Sequence, residues 1–205
     1  MGHLPQPFTL HVGKSCGPTH CGVGVQLPVG SHAVRLCYQS GLGDNGEVTA
    51  DCFVPHAGTD ERPGDRYLSV HWLEYLGRGP IADCLQRLRD FLLTSKIPGE
   101  RKPTRHGKLA VLSCDRVSQT ALEEVLLEIT FWHVPRLPAS ASGVEIASDG
   151  SVRFGIAHEQ AAEFNLPLDP HSGLFTLPEA AAHEVAVQQF LASQVVRLEP
   201  GRLIS

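Results

Sequence analysis

Apolar and polar residues alternate with a period of two over much of the first half of the chain, the spacing of half-buried strands. Residues 8–12 place Phe8, Leu10 and Val12 on one side, and residues 22–29 form a second apolar stretch. Residues 32–39 sort into Ala33, Arg35, Cys37 and Gln39 on one face and His32, Val34, Leu36 and Tyr38 on the other. Gly41, Gly43, Asp44, Asn45 and Gly46 come next, residue types that accept positive φ at little cost. Residues 47–54 then alternate again through Val48, Ala50, Cys52 and Val54, so 32–39 and 47–54 are expected to form an antiparallel pair. After a polar loop over 57–65, residues 66–70 read as a further short strand.

The period changes at Pro80. Ile81, Cys84, Leu85, Leu88, Phe91 and Leu92 make one apolar stripe at helical spacing, with Asp83, Arg87 and Asp90 facing outward. Pro80 suits a first helical turn and Pro98-Gly99 closes the region, which predicts a helix over 80–95. Residues 108–114 read as a buried strand, and 120–134 as a helical turn followed by a strand from about Leu126. Residues 135–142 form a Pro/Ser/Ala linker. A hairpin over 144–156 comes after it, turning on Asp149-Gly150, and then a short helix over 158–164. A last helix is expected over 178–194 and a terminal strand over 195–198. The fold class implied is α+β, a mainly antiparallel sheet with two or three packed helices. Residues 1–205 are read as a single domain in which 136–165 are an inserted hairpin and short helix, because the stretch beyond the linker is too short for a core of its own.

Composition agrees with such a chain. It is 42% hydrophobic and 19% charged, enough to build a core, and 20 glycines and 15 prolines supply its turns. The net charge of −5 does not suit a phosphate-binding surface, and the one basic cluster (Arg101, Lys102, Arg105, His106, Lys108) reads as a solvated loop, so nucleic acid is not indicated. No apolar run approaches the ~20 residues that cross a bilayer. The first residues carry no secretory pattern, and Gln6 breaks a myristoylation motif. A cytoplasmic protein with its six cysteines reduced is expected, with no membrane partner.

Motifs with chemistry are incomplete. Gly41, Gly43 and Gly46 match a dinucleotide-binding glycine pattern, but the turn leads towards predicted strand rather than a helix N-terminus. Eleven histidines are spread along the chain; His158-Glu159 and His183-Glu184 open a zincin motif that Ala162 and Val187 fail to complete. Cys16, Cys21, Cys52 and His56 have spacings compatible with a tetrahedral zinc site, with His20 in reserve. Against this, Cys52 lies on the apolar face of a predicted strand and no Cys-x-x-Cys knuckle is present. No cofactor is expected, zinc being the one that the spacings would allow. Ser113 and Cys114, at the exit of a strand, are candidate nucleophiles, with His171 as base and Asp169 near it; the competing reading is a buried cysteine ending a core strand.

Two segments stand out. Residues 66–75 collect Arg66, Tyr67, His71, Trp72, Glu74 and Tyr75 where a strand gives way to a helix, and 169–175 form a polar turn carrying Asp169 and His171. Arg66, His71, Asp169 and His171 converging in one pocket would make an acid–base site. Phe53-Val54-Pro55, Leu68-Ser69-Val70, Trp72-Leu73-Glu74 and His171-Ser172-Gly173 together resemble a loose group of short uncharacterised bacterial proteins, over about a quarter of the chain. That resemblance implies no activity and lends no catalytic residue. The sequence therefore points first to an accessory or binding component of a bacterial multi-protein system, with another protein of that system as partner. The alternative is a small hydrolytic or nucleotide-modifying enzyme with a His-centred site.

Overall fold

The computed structural model describes residues 8–11, 19–55, 67–95, 102–133, 142–146, 152–157 and 170–202. In chain order these give β1 (Phe8–His11), β2 (Thr19–Gln26), β3 (His32–Cys37), β4 (Leu68–Trp72), α1 (Ile81–Thr94), β5 (Lys108–Ser113), α2 (Cys114–Glu124) and β6 (Glu128–His133). They continue with β7 (Ser142–Ile146), β8 (Val152–Ala157), β9 (His171–Leu177), α3 (Val185–Ser193) and β10 (Val195–Pro200). The fold is α+β. Its sheet runs β10-β5-β3-β4-β9-β6-β2-β8-β7, with β1 paired to β2, and every pairing is antiparallel. No helix among the described residues is long and apolar enough to cross a membrane.

The middle of the sheet is covered on both sides. Leu109, Ala110, Val111 and Leu112 of β5 are all fully buried, which is why this strand reads as an unbroken apolar run rather than an alternation. On one face Val34, Leu109 and Val111 pack under Cys84, Leu85, Leu88 and Leu92 of α1. Burying each of those leucines stabilises the fold by roughly 2 kcal/mol. On the other face Ala33, Ala110 and Leu112 meet Val117 and Ala121 of α2 and Val187, Phe190 and Leu191 of α3. The same layer continues over Leu68, Val70, Ile129, Phe131 and Leu174. Arg89 of α1 is buried as well: its guanidinium donates to Gln86 Oε1 (2.7 Å) and to the Pro200 carbonyl (3.1 Å), tying the helix to β10.

Several expectations hold in place and type. The stripe from Ile81 to Leu92 is a helix beginning after Pro80, residues 108–113 are a strand, and 142–146 pair with 152–157 as a hairpin. β8 of that hairpin also pairs with β2 and so prolongs the sheet. The turn at 148–151 and the helix expected over 158–164 lie outside the described residues.

Others are corrected. Residues 47–54 do not pair with β3, whose edges are taken by β4 and β5. They make a single bridge, Leu42 to Val48, and then a 3-10 turn over Ala50–Phe53 that buries Cys52 and Phe53. Arg35 decides this: its guanidinium donates to the carbonyls of Cys52 (2.8 Å) and Val54 (3.3 Å) and to that of Ser69 in β4 (2.7 Å). β3 and β4 pair only at Ala33–Trp72 and Val34–His71, and the arginine bridges the gap beyond. The expected polar turn at 169–175 is instead β9, and the last helix breaks into a 3-10 turn (Glu179–His183) and α3. α2 starts at Cys114, six residues before the expected helical turn at 120.

The exit from α2 is strained. Leu126 is 84% exposed and holds a φ of 54°, so that Leu127 N–H reaches the Ala121 carbonyl (3.3 Å) before β6 begins. A left-handed backbone costs an L-residue with a Cβ roughly 1–2 kcal/mol, and this side chain recovers little by burial. Leu126→Gly is therefore expected to raise the unfolding free energy by about 1 kcal/mol. An unchanged or lower urea midpoint would refute that assignment.

Candidate functional site

The face of the sheet that carries α1 also carries most of the candidate chemistry. Beyond Val34, across β4 and β9, His71 and His171 are register partners. Their rings stand edge to face with centroids 6.0 Å apart, and Ser69 Oγ is 2.8 Å from His171 Nε2. Tyr67 lies edge-on to His171 at 6.1 Å and stacks on Phe175 at 4.9 Å. Gly173 makes this possible, because a Cβ there would fall 2.5 Å from Phe175 Cε2 and 2.7 Å from Tyr67 Cδ2.

Two of the four residues expected in an acid–base pocket are thus brought together, while Arg66 and Asp169 lie outside the described residues. However, His71 and His171 are each only 5% exposed. Paired rings with this little access make a polar seam in the core rather than a surface that substrate can reach. A further buried imidazole, His133, carried no signal in the sequence. It is fully buried, stacked on Tyr75 (4.6 Å) and edge-on to Trp72 (6.0 Å).

Of the four metal candidates, Cys16 and His56 lie outside the described residues, and Cys21 sits within β2. Cys52 is turned inward, with its thiol donating to the Gly41 carbonyl (2.9 Å). Among the described residues no group of three or more ligand side chains gathers at one point.

The open chemistry lies at one end of the same face, where β3 begins, β4 has just ended and β5 passes into α2. His32 is opposite Ser113 in the β3–β5 register. Glu74, in the 3-10 turn Leu73–Leu76 after β4, grips His32 twice: Oε1 lies 2.7 Å from Nδ1, and Oε2 accepts the His32 backbone N–H at 3.0 Å. A carboxylate held this way accepts the Nδ1–H hydrogen bond, which puts the lone pair of the neutral ring on Nε2. The two side chains keep 23% and 19% of their surface exposed, so the pair is reachable. β3 lies between β4 and β5, so the imidazole has a carboxylate on one flank and a serine on the other. Ser113 is the N-cap of the eleven-residue α2, yet its hydroxyl makes no capping bond.

Cys114 behaves differently from its neighbour. It is buried, and its thiol is pushed well above the ordinary range by that burial and then by the carboxylates of Glu74 and Asp115. It stays protonated, so of the two strand-exit candidates the serine is the usable one. Asp115 serves the loop into β3, which it fixes by accepting the Gly30 N–H on Oδ2 at 2.6 Å. No protein-family model, curated protein or solved structure matches the chain. The reading of the site therefore rests on its geometry.

No sequence motif announced this trio, because 42 residues separate His32 from Glu74. The signals present were Ser113 at a strand exit and Glu74 in an unusual segment; the missing step was the β3–β5 register. For the buried seam, Gly173→Ala is expected to cost about 2 kcal/mol, since the added methyl must displace a packed ring pair. Urea unfolding that shows no loss would mean that Tyr67 and Phe175 are not seated over this glycine.

Proposed function

We propose that the protein is a small hydrolytic enzyme in which Ser113 is the nucleophile, His32 its general base and Glu74 the orienting carboxylate. The observation that carries this reading is the double hold of Glu74 on His32, opposite a serine whose hydroxyl is not spent on capping. Nucleophile, base and orienter in series is the constellation that acyl-transfer chemistry requires, and it is recognised by geometry rather than by chain order.

In this scheme Ser113 Oγ attacks the carbonyl carbon of an ester or amide while its proton passes to His32 Nε2. The imidazolium is held by Glu74, and the oxyanion forms at the positive end of α2. The proton then goes to the leaving group as the acyl carbon–heteroatom bond breaks. Water, deprotonated by the same nitrogen, releases the acid and restores the serine. The reading keeps the expectation of a His-centred site but moves the base from His71 and His171, which are buried, to His32, which is not. The alternative of an accessory binding component has no comparable contact behind it.

A fluorophosphonate reagent tests the proposal directly. A single adduct on Ser113 is expected by peptide mapping, with none on Ser113→Ala. His32→Ala is expected to slow labelling by about 100-fold or more, in line with the loss of a general base. Glu74→Gln is expected to slow it less. Labelling elsewhere, or no labelling of folded protein, would overturn the assignment; unchanged circular dichroism of each variant keeps the comparison valid.

A further inference from the structure

Several elements end together at the far end of α2 from Ser113. α2 stops at Glu124, β6 begins at Glu128, and Leu177, the register partner of Glu128, ends β9. α3 starts from the same end, because it runs back to β10, whose Val195 pairs with Leu112 beside the α2 N-terminus. These ends present apolar side chains to solvent. Leu126 stands out farthest, Leu122 one turn before it is 57% exposed, and Leu177 and Val185 are exposed as well. Single exposed apolar residues are ordinary, but several where elements converge are what a contact surface looks like.

The patch is held at a cost. Leu126 keeps a left-handed backbone (φ 54°) that glycine would adopt freely, and α2 closes through it. Packing does not repay that strain, because the side chain lies in solvent. Strain that burial leaves unrepaid is a mark of residues kept for contact with a ligand.

Charge defines the partner. Glu123, Glu124 and Glu128 are exposed around Leu122 and Leu126, and an exposed Glu184 precedes Val185. The chain has 17 Lys and Arg, yet none falls within residues 117–130 or 174–194. An apolar patch whose own elements carry carboxylates and no Lys or Arg repels a second copy of itself and an anionic lipid surface. It favours a segment that is apolar along one side and cationic along its flanks.

We propose that this surface docks a Lys- and Arg-rich amphipathic helix of a partner protein. Its apolar stripe lies on Leu122, Leu126 and Leu177, and its cations face Glu123, Glu124 and Glu128. A helix meets both features at once: apolar residues at i, i+3, i+4 and i+7 share one side, and long basic side chains run along the flanks. Docking here does not depend on the chemistry of Ser113, which caps the opposite end of α2.

The probe is a fluorescein-labelled peptide of about 18 residues, roughly five helical turns, with leucine at those positions and lysine at the rest. A peptide of the same composition in scrambled order is the control. Fluorescence anisotropy with the intact protein is expected to show the helical peptide binding about tenfold more tightly than the control, and more weakly as added salt screens the charges. Leu126→Gly is expected to bind about tenfold more weakly while its urea midpoint does not fall, so that unfolding cannot account for the loss. Glu123→Lys combined with Glu124→Lys is expected to weaken binding to a similar degree and to flatten its salt dependence. Equal binding of the two peptides, or a Leu126→Gly protein that binds as wild type does, would overturn the proposal. So would self-association of wild type that Leu126→Gly abolishes in analytical ultracentrifugation, because the occupant would then be a second copy.

Discussion

Strand β3 is the constraint on which the described structure turns. It pairs with β5 along its whole length and with β4 at Ala33 and Val34, and it is covered on both faces, by α1 on one side and by α2 and α3 on the other. A strand in that position has no freedom to slip, because a shift of one residue would exchange Ala33 and Val34 between faces that are both closed. Every local feature of interest is fixed relative to it. Its first residue faces Ser113 and is gripped by Glu74, its middle carries Arg35, and its last residue is Cys37.

Arg35 shows how a polar group in such a strand directs the chain around it. A half-buried guanidinium needs acceptors, and it finds three carbonyls, those of Cys52, Val54 and Ser69. Satisfying them draws residues 50–54 across the strand and lets β4 diverge from β3 after two register pairs. The turn so formed packs Cys52 and Phe53 into the core, with the Cys52 thiol on the Gly41 carbonyl. One half-buried charge thus accounts for the lost hairpin.

The sequence was most legible where structure is local. α1 was readable because its stripe, Ile81 to Leu92, is complete within the segment, and β5 because a strand closed on both faces has an apolar residue at every buried position. Residues 47–54 misled because alternation records which side chains are buried and not which strand, if any, lies alongside; Arg35 supplied the missing information. The start of β9 reads as a turn in sequence because Pro170, His171, Ser172 and Gly173 are turn-forming residue types. In the sheet that composition is a packing solution, with Gly173 making room for two rings and Ser69 bonded to His171. For the candidate site, individual residues were visible but their grouping was not. Composition joins His71 to His171, whereas register joins His32 to Ser113 and two hydrogen bonds join His32 to Glu74.

The same sheet face therefore holds imidazoles of two kinds, and exposure separates them. His71 and His171 lie where the face is closed, and their neighbours (Tyr67, Phe175 and Ser69) complete a seam with little solvent access. His32 lies at the strand end, opposite Ser113 where β5 passes into α2, and its side chain is 23% exposed. There the imidazole keeps contact with water and is still oriented, because Glu74 holds both its ring and its backbone. A buried imidazole with satisfied neighbours stabilises one packing arrangement, while a reachable imidazole held from one side keeps its other nitrogen for chemistry. This difference, more than the number of histidines, is why the strand end rather than the histidine-rich seam is the better place to look for catalysis.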